Sequence, residues 1–257
     1  MYIQQMVLPL FKTHYSQGKS ILTLEKKDSS LPDGPDSIID ICLKNKIKEF
    51  YLVEDSMGSF LQAYDSTKDE DLSFRYGLRI NVCPDNTERG EEALKATSKY
   101  VIFAKNEGGY KKLIKIYSNA SSDGFYYEPR TDFKFLREIW DDNDLALAVP
   151  FYDSYLFKNA LEQGDCMPEF DFTSPTFLLE SNGLPFDAVH RKIVEKFCKT
   201  AGYETQEAKS IYYKDKDDFM AYLTMRCIDK RSTWSKPNID HLSSDEFSFE
   251  SWKEKGE

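Results

Sequence analysis

Short apolar runs alternate along this chain with longer segments in which apolar residues recur at helical spacing. Such runs are typical of buried strands, and the longer segments are typical of amphipathic helices. The predicted strands lie at residues 50–53, 79–82, 100–103, 145–149, 176–180 and 210–213. This alternation indicates an α/β fold whose strands are mainly parallel.

The predicted helices lie between these strands. Residues 32–35 form a predicted turn, and Pro35-Asp36-Ser37 then opens a helix. A second helix follows Gly108-Gly109, and a third covers about 186–200 before a capping glycine at 202. A fourth contains Phe219, Tyr222, Leu223 and Cys227. About seven βα units in about 230 residues fit a distorted α/β barrel. We expect a single barrel over residues 1–240 and a polar tail, 241–257, that packs on the barrel or trails from it.

Composition excludes several classes of protein. With 40% hydrophobic residues the 257-residue chain can form a sizeable core, and its net charge of −10 disfavours a general nucleic-acid binder, which usually has a basic face. Five scattered cysteines without a CxxC pair indicate reduced thiols and a cytoplasmic protein. No apolar run approaches the ~20 residues of a membrane-spanning helix, and the N-terminus does not read as a signal peptide.

One long segment carries a family resemblance. Residues 104–132 read AKNEGGYKKLIKIYSNASSDGFYYEPRTD, predicted as a strand end, an amphipathic helix and an aromatic loop. This segment closely resembles the corresponding part of the PHP domain, the polymerase and histidinol phosphatase module of bacterial DNA polymerase III alpha subunits. The resemblance implies a seven-stranded (β/α) barrel. It also implies His, Asp and Glu ligands at the carboxyl ends of the strands, which hold metal ions for phosphoester hydrolysis.

Most of those ligands are replaced in this chain. The resemblance places the first His-x-His motif on Lys12-Thr13-His14, so that Lys12 replaces one ligand and His14 remains. It places the second motif on Asp55-Ser56, where Asp55 remains and Ser56 replaces a His. Arg79 stands at the position of a ligating Glu.

The final Asp-x-His motif falls on Lys209 and Ile211, and the chain contains only three His in all. Because ammonium and guanidinium groups do not bind metal cations, we expect a degenerate PHP domain with no metal, no cofactor and no catalytic residues. Fixed cations paired with carboxylates such as Asp55 would then balance the charge of the barrel mouth. Replacing Lys209 or Arg79 with alanine should therefore destabilise the fold.

Other residues allow both a structural and a functional interpretation. The loop residues Phe125, Tyr126 and Tyr127, with Arg130, form a possible interface. A basic cluster at residues 111, 112 and 115 is expected to be the solvated face of a helix. His190 is expected to be partly exposed. A basic-aromatic region could contact nucleic acid; its residues are Arg226, Lys230, Arg231, Trp234 and Lys236.

Three functional hypotheses follow. The favoured one is a non-catalytic scaffold or docking module of a DNA polymerase III alpha-type replicase. Its partner would be the polymerase core or the proofreading exonuclease, with at most weak or indirect contact to nucleic acid and none to a membrane. The sequence ends before any polymerase palm, so it is expected to be a fragment of a polymerase or a product of a virus or mobile element.

The second hypothesis is a metal-dependent phosphoesterase or exonuclease with rearranged ligands. It requires Asp55 and His14 to converge with carboxylates such as Glu180 and Asp153. The third is a standalone interaction protein that mimics the polymerase domain in order to bind a replication factor.

Overall fold

Strands and helices alternate through residues 7–26, 34–235 and 241–256, the part of the chain that the computed structural model describes. The strands are β1 Leu8–Phe11, β2 Glu49–Glu54, β3 Ser73–Cys83, β4 Ser98–Ala104, β5 Arg130–Asp132, β6 Leu145–Val149, β7 Thr176–Leu179 and β8 Glu204–Ile211. The α-helices are α1 Ile38–Lys44, α2 Phe60–Thr67, α3 Glu91–Lys95, α4 Glu107–Ser121, α5 Phe133–Ile139, α6 Tyr155–Leu161, α7 Asp187–Ala201, α8 Phe219–Asp229 and α9 Phe249–Gly256. Within these ranges, short 3₁₀ helices include Lys216–Asp218 and Asp245–Phe247.

Seven of the strands close into a barrel ringed by helices. The order around the barrel is β2, β1, β8, β7, β6, β4 and β3, and pairing of β2 with β3 closes the ring. The remaining strand, β5, pairs with the second half of β3 beyond the point where β2 ends. The predicted seven-stranded (β/α) barrel is therefore confirmed.

One strand departs from the parallel arrangement that the sequence predicted. β4 runs antiparallel to both β3 and β6, whereas the other pairs around the ring are parallel. The apolar run of a buried strand is the same in either direction, so the sequence pattern cannot reveal the reversal. The reversal places the first residues of β4, rather than its last ones, at the carboxyl end of the barrel.

Small and medium apolar side chains fill the barrel interior. This inner cluster consists of Leu10, Val53, Val101, Ala148, Leu178 and Ala208. Gly77 in β3 also faces inward, where a Cβ atom would lie 2.6 Å from the ring of Phe103. Glycine at this position therefore leaves room for the Phe103 ring inside the barrel.

A larger core lies between the barrel and its helices, and polar caps fix where those helices begin. The hydroxyl of Ser37 accepts from the backbone N–H of Asp40 at the start of α1, and the amide oxygen of Asn106 accepts from Gly109 at the start of α4. At the end of α7, Gly202 adopts the predicted left-handed conformation with φ of 77°. The helices predicted after Ser37 and before Gly202 are thus confirmed. The helix predicted after Gly108-Gly109 is present but begins at Glu107, so both glycines lie in its first turn.

The burial of one residue of α7 differs from the prediction. His190 is buried, not partly exposed, and its Nε2 atom lies 2.9 Å from the carbonyl oxygen of Phe151. Val189 and Ile193 are exposed, whereas Val194 on the same helix is buried. The imidazole of His190 packs against the rings of Phe151 and Phe157, a contact that a polarity pattern does not show.

The C-terminal segment contacts the barrel at several points. Phe247 and Phe249 are buried, and the backbone of residue 248 pairs with that of Tyr213. The indole N–H of Trp252 donates to the carbonyl oxygen of Val7 at 2.9 Å. These contacts hold α9 beside the start of β1.

Three further findings concern the cysteines, the character of the helices and the predicted turn. The five cysteines are free and buried, as expected of core thiols. No helix in the described ranges combines the length and apolar character that crossing a bilayer requires. The turn predicted at residues 32–35 lies partly outside the described residues.

Candidate site at the barrel mouth

Charged side chains converge at the carboxyl ends of the parallel strands. Lys12 follows β1 directly, Asp55 follows β2, and Asp153 lies four residues beyond β6. Arg79 projects from the middle of β3. Since the carboxyl ends of parallel strands meet at one rim of a barrel, these four side chains come together although they are distant in sequence.

Asp55 is the centre of this group. Its carboxylate lies 3.0 Å from the ammonium of Lys12, 3.0 Å from that of Lys19 and 3.8 Å from the guanidinium of Arg79. Burial alone would raise the pKa of Asp55, but these cations hold it well below its usual range. Asp55 is therefore an ionised partner of fixed cations, in an environment that disfavours its acting as a general base.

Arg79 links Asp55 to a second carboxylate. Its guanidinium donates to Asp153 at 2.5 Å and is nearly buried. Burial would raise the pKa of Asp153, yet the charges of Arg79 and Lys19 lower it to about 2. The arrangement Lys12–Asp55–Arg79–Asp153, with Lys19 at its edge, is called the mouth ion-pair network below.

Lys12 is the most deeply buried member of the network. It is 3% exposed, and its ammonium donates to Asp55 and to the hydroxyl of Ser16. Burial lowers the pKa of Lys12 from 10.5 to about 8, against the attraction of Asp55. The folded protein therefore holds this proton less tightly than the unfolded chain does.

This depressed pKa predicts a pH dependence of stability. Between about 8 and 10.5 the unfolded chain binds more protons at Lys12 than the folded protein, so the contribution of Lys12 to stability rises with pH. Below about 8 this contribution is lost, because the charged ammonium must be buried. In urea unfolding experiments across this range, the free energy of unfolding should rise more steeply with pH for the wild type than for Lys12→Met. Parallel pH dependences would contradict the buried-lysine assignment.

A buried carboxylate that sequence reasoning missed supports the loop after β1. Glu54 accepts from the backbone N–H of Thr13 at 2.8 Å, from the Thr13 hydroxyl at 2.6 Å and from the Ser16 hydroxyl. Its side chain is fully buried, and this burial raises its pKa. The available signal was a carboxylate directly after the predicted strand 50–53, followed by a second carboxylate.

Glu180 has the same role on the opposite side of the barrel. Its carboxylate accepts from the backbone N–H of Ser210 at 2.8 Å, from the Ser210 hydroxyl at 3.0 Å and from the amide of Asn182 at 2.9 Å. Burial raises the pKa of Glu180 as well. Glu180 is therefore engaged in the structure of β7 and β8 and does not contact Asp55.

His14 of the first motif and Ser56 of the second motif lie outside the mouth ion-pair network. His14 is exposed; its Nδ1 atom lies 3.4 Å from the carbonyl oxygen of Leu22, and its ring packs on Tyr15. The hydroxyl of Ser56 accepts from the backbone N–H of Gly58 at 3.3 Å. The structure thus separates His14 from Asp55, the two remnants that the resemblance paired.

The expected position of Lys209 in the mouth is wrong. Its ammonium donates to Asn182 at 3.1 Å and Glu246 at 3.2 Å, while Ile211 lies in the core under the helices. Side chains alternate along β8, so the inward-facing residues are Ala208 and Ser210. A shift of one residue in matching the motif reverses the face, which explains the error.

The side chains at the mouth do not fit a metal cluster. No group of three or more His, Cys, Asp or Glu residues able to hold a metal ion occurs within the described ranges. Lys12 and Arg79 present cationic nitrogens at two of the positions where the resemblance implies ligands. A divalent cation among them would meet electrostatic repulsion instead of lone pairs.

The aromatic loop contains one half-buried and two exposed aromatic side chains. Phe125 is 50% exposed and Tyr127 is 76% exposed, with Tyr127 in the left-handed region at φ of 61°. Tyr126 lies between the guanidinium groups of Arg89 and Arg130, 5.4 and 5.1 Å from its ring centre. Phe125 and Tyr127 remain available for an interface.

Arg130 is not available for an interface, contrary to the sequence prediction. It is 1% exposed and donates to the backbone carbonyls of Gly124, Asn86 and Glu88. It thereby joins the loop after β3 to the loop before β5. Arginine in an aromatic loop usually indicates a surface, and the carbonyl cage that buries it here comes from distant residues.

The two basic regions differ in their surroundings. In α4, Lys111 pairs with Glu107 at 2.6 Å and Lys112 with Asp144 at 2.8 Å, as expected of a solvated helix face. In the basic-aromatic region, Arg226 is buried and donates to the carbonyl oxygen of Gly18, whereas Trp234 is exposed. Lys236 of that region lies outside the described residues.

Comparison with known proteins agrees with this architecture. The profile of the PHP domain matches residues 27–156. The DNA polymerase III subunit alpha of Treponema pallidum (strain Nichols) is 25% identical over 185 residues, which cover 68% of this chain and 16% of that protein. The same subunit of Borreliella burgdorferi is 24% identical over 245 residues, or 88% of this chain and 21% of that protein.

A shorter match reaches a higher identity. The DNA polymerase III subunit alpha of Helicobacter pylori (strain J99) is 34% identical over 115 residues, which are 42% of this chain and 9% of that protein. The chain thus spans between 9 and 21% of the length of these relatives. The family profile covers half of the chain, and the barrel has the family's seven strands. The chain belongs to the PHP domain family.

Proposed function

We propose that this PHP domain is a non-catalytic scaffold or docking module of a DNA polymerase III alpha-type replicase. The observation that carries the proposal is the mouth ion-pair network. Lys12 and Arg79 there neutralise Asp55 and Asp153 directly, a role that metal ions would otherwise fill. Buried ion pairs of this kind stabilise the charge arrangement but offer no activated water and no general base.

The docking partner in this proposal is the polymerase core or the proofreading exonuclease. Support comes from the relatives, which are large polymerase subunits of which this chain matches only a small part. The exposed aromatic pair Phe125 and Tyr127 offers side chains of the type that is enriched at protein interfaces. Replacing both Phe125 and Tyr127 with serine tests the docking proposal. Co-purification of the chain with such a partner should then be lost.

The metal content of the purified protein tests the non-catalytic part. After exchange into Mn²⁺ and Zn²⁺ and removal of the excess, elemental mass spectrometry should find far less than one equivalent per chain. The protein should also leave phosphodiester and phosphomonoester substrates intact in Mn²⁺. Asp55→Asn provides the matched control for the activity assay.

Stoichiometric metal together with phosphoesterase activity that Asp55→Asn abolishes would overturn the proposal. It would instead favour a phosphoesterase with rearranged ligands. Metal without activity would leave the scaffold role but contradict the ion-pair explanation of the mouth.

A further inference from the structure

Helix α8 is apolar on two sides. Its inner face packs on the rest of the protein through Tyr222 and Cys227, which are buried. Its outer face presents Met220, Met225 and Ile228, which are 46%, 38% and 67% exposed. A helix on the surface of a monomeric protein normally turns a polar face to the solvent. We therefore expect a further protein surface to cover the outer face of α8.

The middle of this outer face suits close packing against another helix. Ala221 is exposed and Thr224 is half-buried, so small side chains lie between Met220 and Ile228. The hydroxyl of Thr224 donates to the carbonyl oxygen of Met220 at 2.6 Å. Because this hydrogen bond lies within the helix, burying Thr224 under a partner would leave no hydroxyl unsatisfied. The flexible methionine side chains can adapt to the shape of the partner.

Charges of opposite sign lie at the two ends of the outer face. Asp217 lies in the 3₁₀ turn that leads into α8, and Arg231 lies just after the end of the helix. Both side chains are exposed, and neither makes an ion pair within the part of the chain that the structure describes. A seam with alternating intervals of four and three residues joins them, namely Asp217, Ala221, Thr224, Ile228 and Arg231. An acidic start and a basic end make this seam complementary to a copy of itself that runs in the opposite direction.

We propose that α8 binds α8 of a second copy of this chain, in an antiparallel pair related by a two-fold axis at Thr224. Thr224 lies midway along the chain between Met220 and Ile228, and the axis brings Met220 of each copy against Ile228 of the other. It lies midway between Asp217 and Arg231 as well, so each of these charges meets one of opposite sign. A parallel pair would instead bring like charges together.

The size of the outer face predicts a reversible dimer. Helix α8 has 11 residues. Stable interfaces bury about 800 Å² on each partner, and one face of a helix of this length offers less than that. We therefore expect an equilibrium between monomer and dimer that depends on concentration.

Sedimentation of the purified chain over a range of concentrations tests the proposal. A reversible monomer–dimer equilibrium is expected for the wild type. Ile228→Glu should raise the Kd of the dimer about a hundredfold, because the interface would then bury two unpaired carboxylates. Val189→Glu on α7 is the matched control, since Val189 is 61% exposed and lies outside the outer face of α8. This control should leave the Kd unchanged.

Reversal of the two end charges tests the antiparallel arrangement. Asp217→Arg makes both ends of the outer face basic, and Arg231→Asp makes both ends acidic. Each variant alone should associate about tenfold more weakly than the wild type, because both charge contacts become repulsive. An equimolar mixture of the two variants should associate as tightly as the wild type, because every contact then joins opposite charges.

A chain that stays monomeric at all concentrations would overturn the proposal, as would a dimer that Ile228→Glu leaves intact. Equal association of the two charge variants, alone and mixed, would contradict the antiparallel pairing. If the chain is monomeric and Ile228→Glu prevents its co-purification with a polymerase core or an exonuclease, the outer face of α8 binds that partner instead.

Discussion

Replacing Asp55 with alanine is expected to lower the free energy of unfolding by about 3 kcal/mol. The substitution leaves the ammonium of Lys12 buried without the carboxylate that lies 3.0 Å from it. Breaking a buried pair from one side costs about 3–5 kcal/mol, and the lower end applies because the Asp55 side chain is 24% exposed. Urea denaturation followed by far-ultraviolet circular dichroism measures the effect.

Replacing the other member of the pair, Lys12, should lower the free energy of unfolding by less. In Lys12→Met the apolar stem is kept and the buried charge is removed, while Asp55 retains Lys19 and Arg79 as partners. The double variant Lys12→Met/Asp55→Ala should then be more stable than the sum of the two single changes predicts. This asymmetry distinguishes a network of several cations from a simple isolated pair.

The exposed pair Lys48 and Asp71 supplies the matched control. Its two side chains are 68% and 85% exposed, so Lys48→Met/Asp71→Ala should leave the free energy of unfolding nearly unchanged. An equally small change in the free energy of unfolding for Asp55→Ala would show that water solvates the charges of the mouth well enough to replace their ion pairs. The explanation of the missing metal ligands by fixed ion pairs would then fail.

The fold could be predicted from the sequence because its strands are short, apolar and regularly separated by helices. Residues 145–149 were placed as a strand with the bounds that β6 has. The direction of β4 could not be predicted, since an apolar run has no polarity along the chain. The start of β8 could not be placed either: the predicted strand at 210–213 overlaps only the last two residues of Glu204–Ile211, and the first residues of β8 are mixed in polarity.

The site was predicted in part. The sequence indicated that Lys12, Asp55 and Arg79 replace or retain ligands, and the structure brings these three residues together. It gave no indication of Asp153 as the partner of Arg79, of Glu54 as a loop anchor, or of Lys19 and Lys99 beside them. These residues come from loops and strand ends whose proximity depends on barrel closure, and local patterns contain no information on such contacts.

Arg79→Ala is expected to destabilise the protein more than Lys209→Ala does, although the sequence analysis predicts destabilisation for both substitutions. Loss of Arg79 leaves Asp153 without its donor at 2.5 Å and removes one of the three cations around Asp55. We expect a decrease of about 3 kcal/mol in the free energy of unfolding. Loss of Lys209 leaves Glu246 with Lys255 at 3.5 Å and Lys216 at 4.0 Å, so a decrease of about 1–2 kcal/mol is expected.

Arg137→Ala controls for the change from arginine to alanine itself. Arg137 contacts Glu169 and Asp171 at 2.7 Å but is exposed, so its loss should change stability little. We expect the loss of unfolding free energy to decrease in the order Arg79→Ala, Lys209→Ala, Arg137→Ala. This order would assign the large loss to the buried position in the mouth and not to the removal of an arginine as such. A larger effect for Lys209 than for Arg79 would contradict this. The principal charge compensation would then lie between β8 and the C-terminal segment, and the barrel mouth would have lost its ligands without needing a replacement.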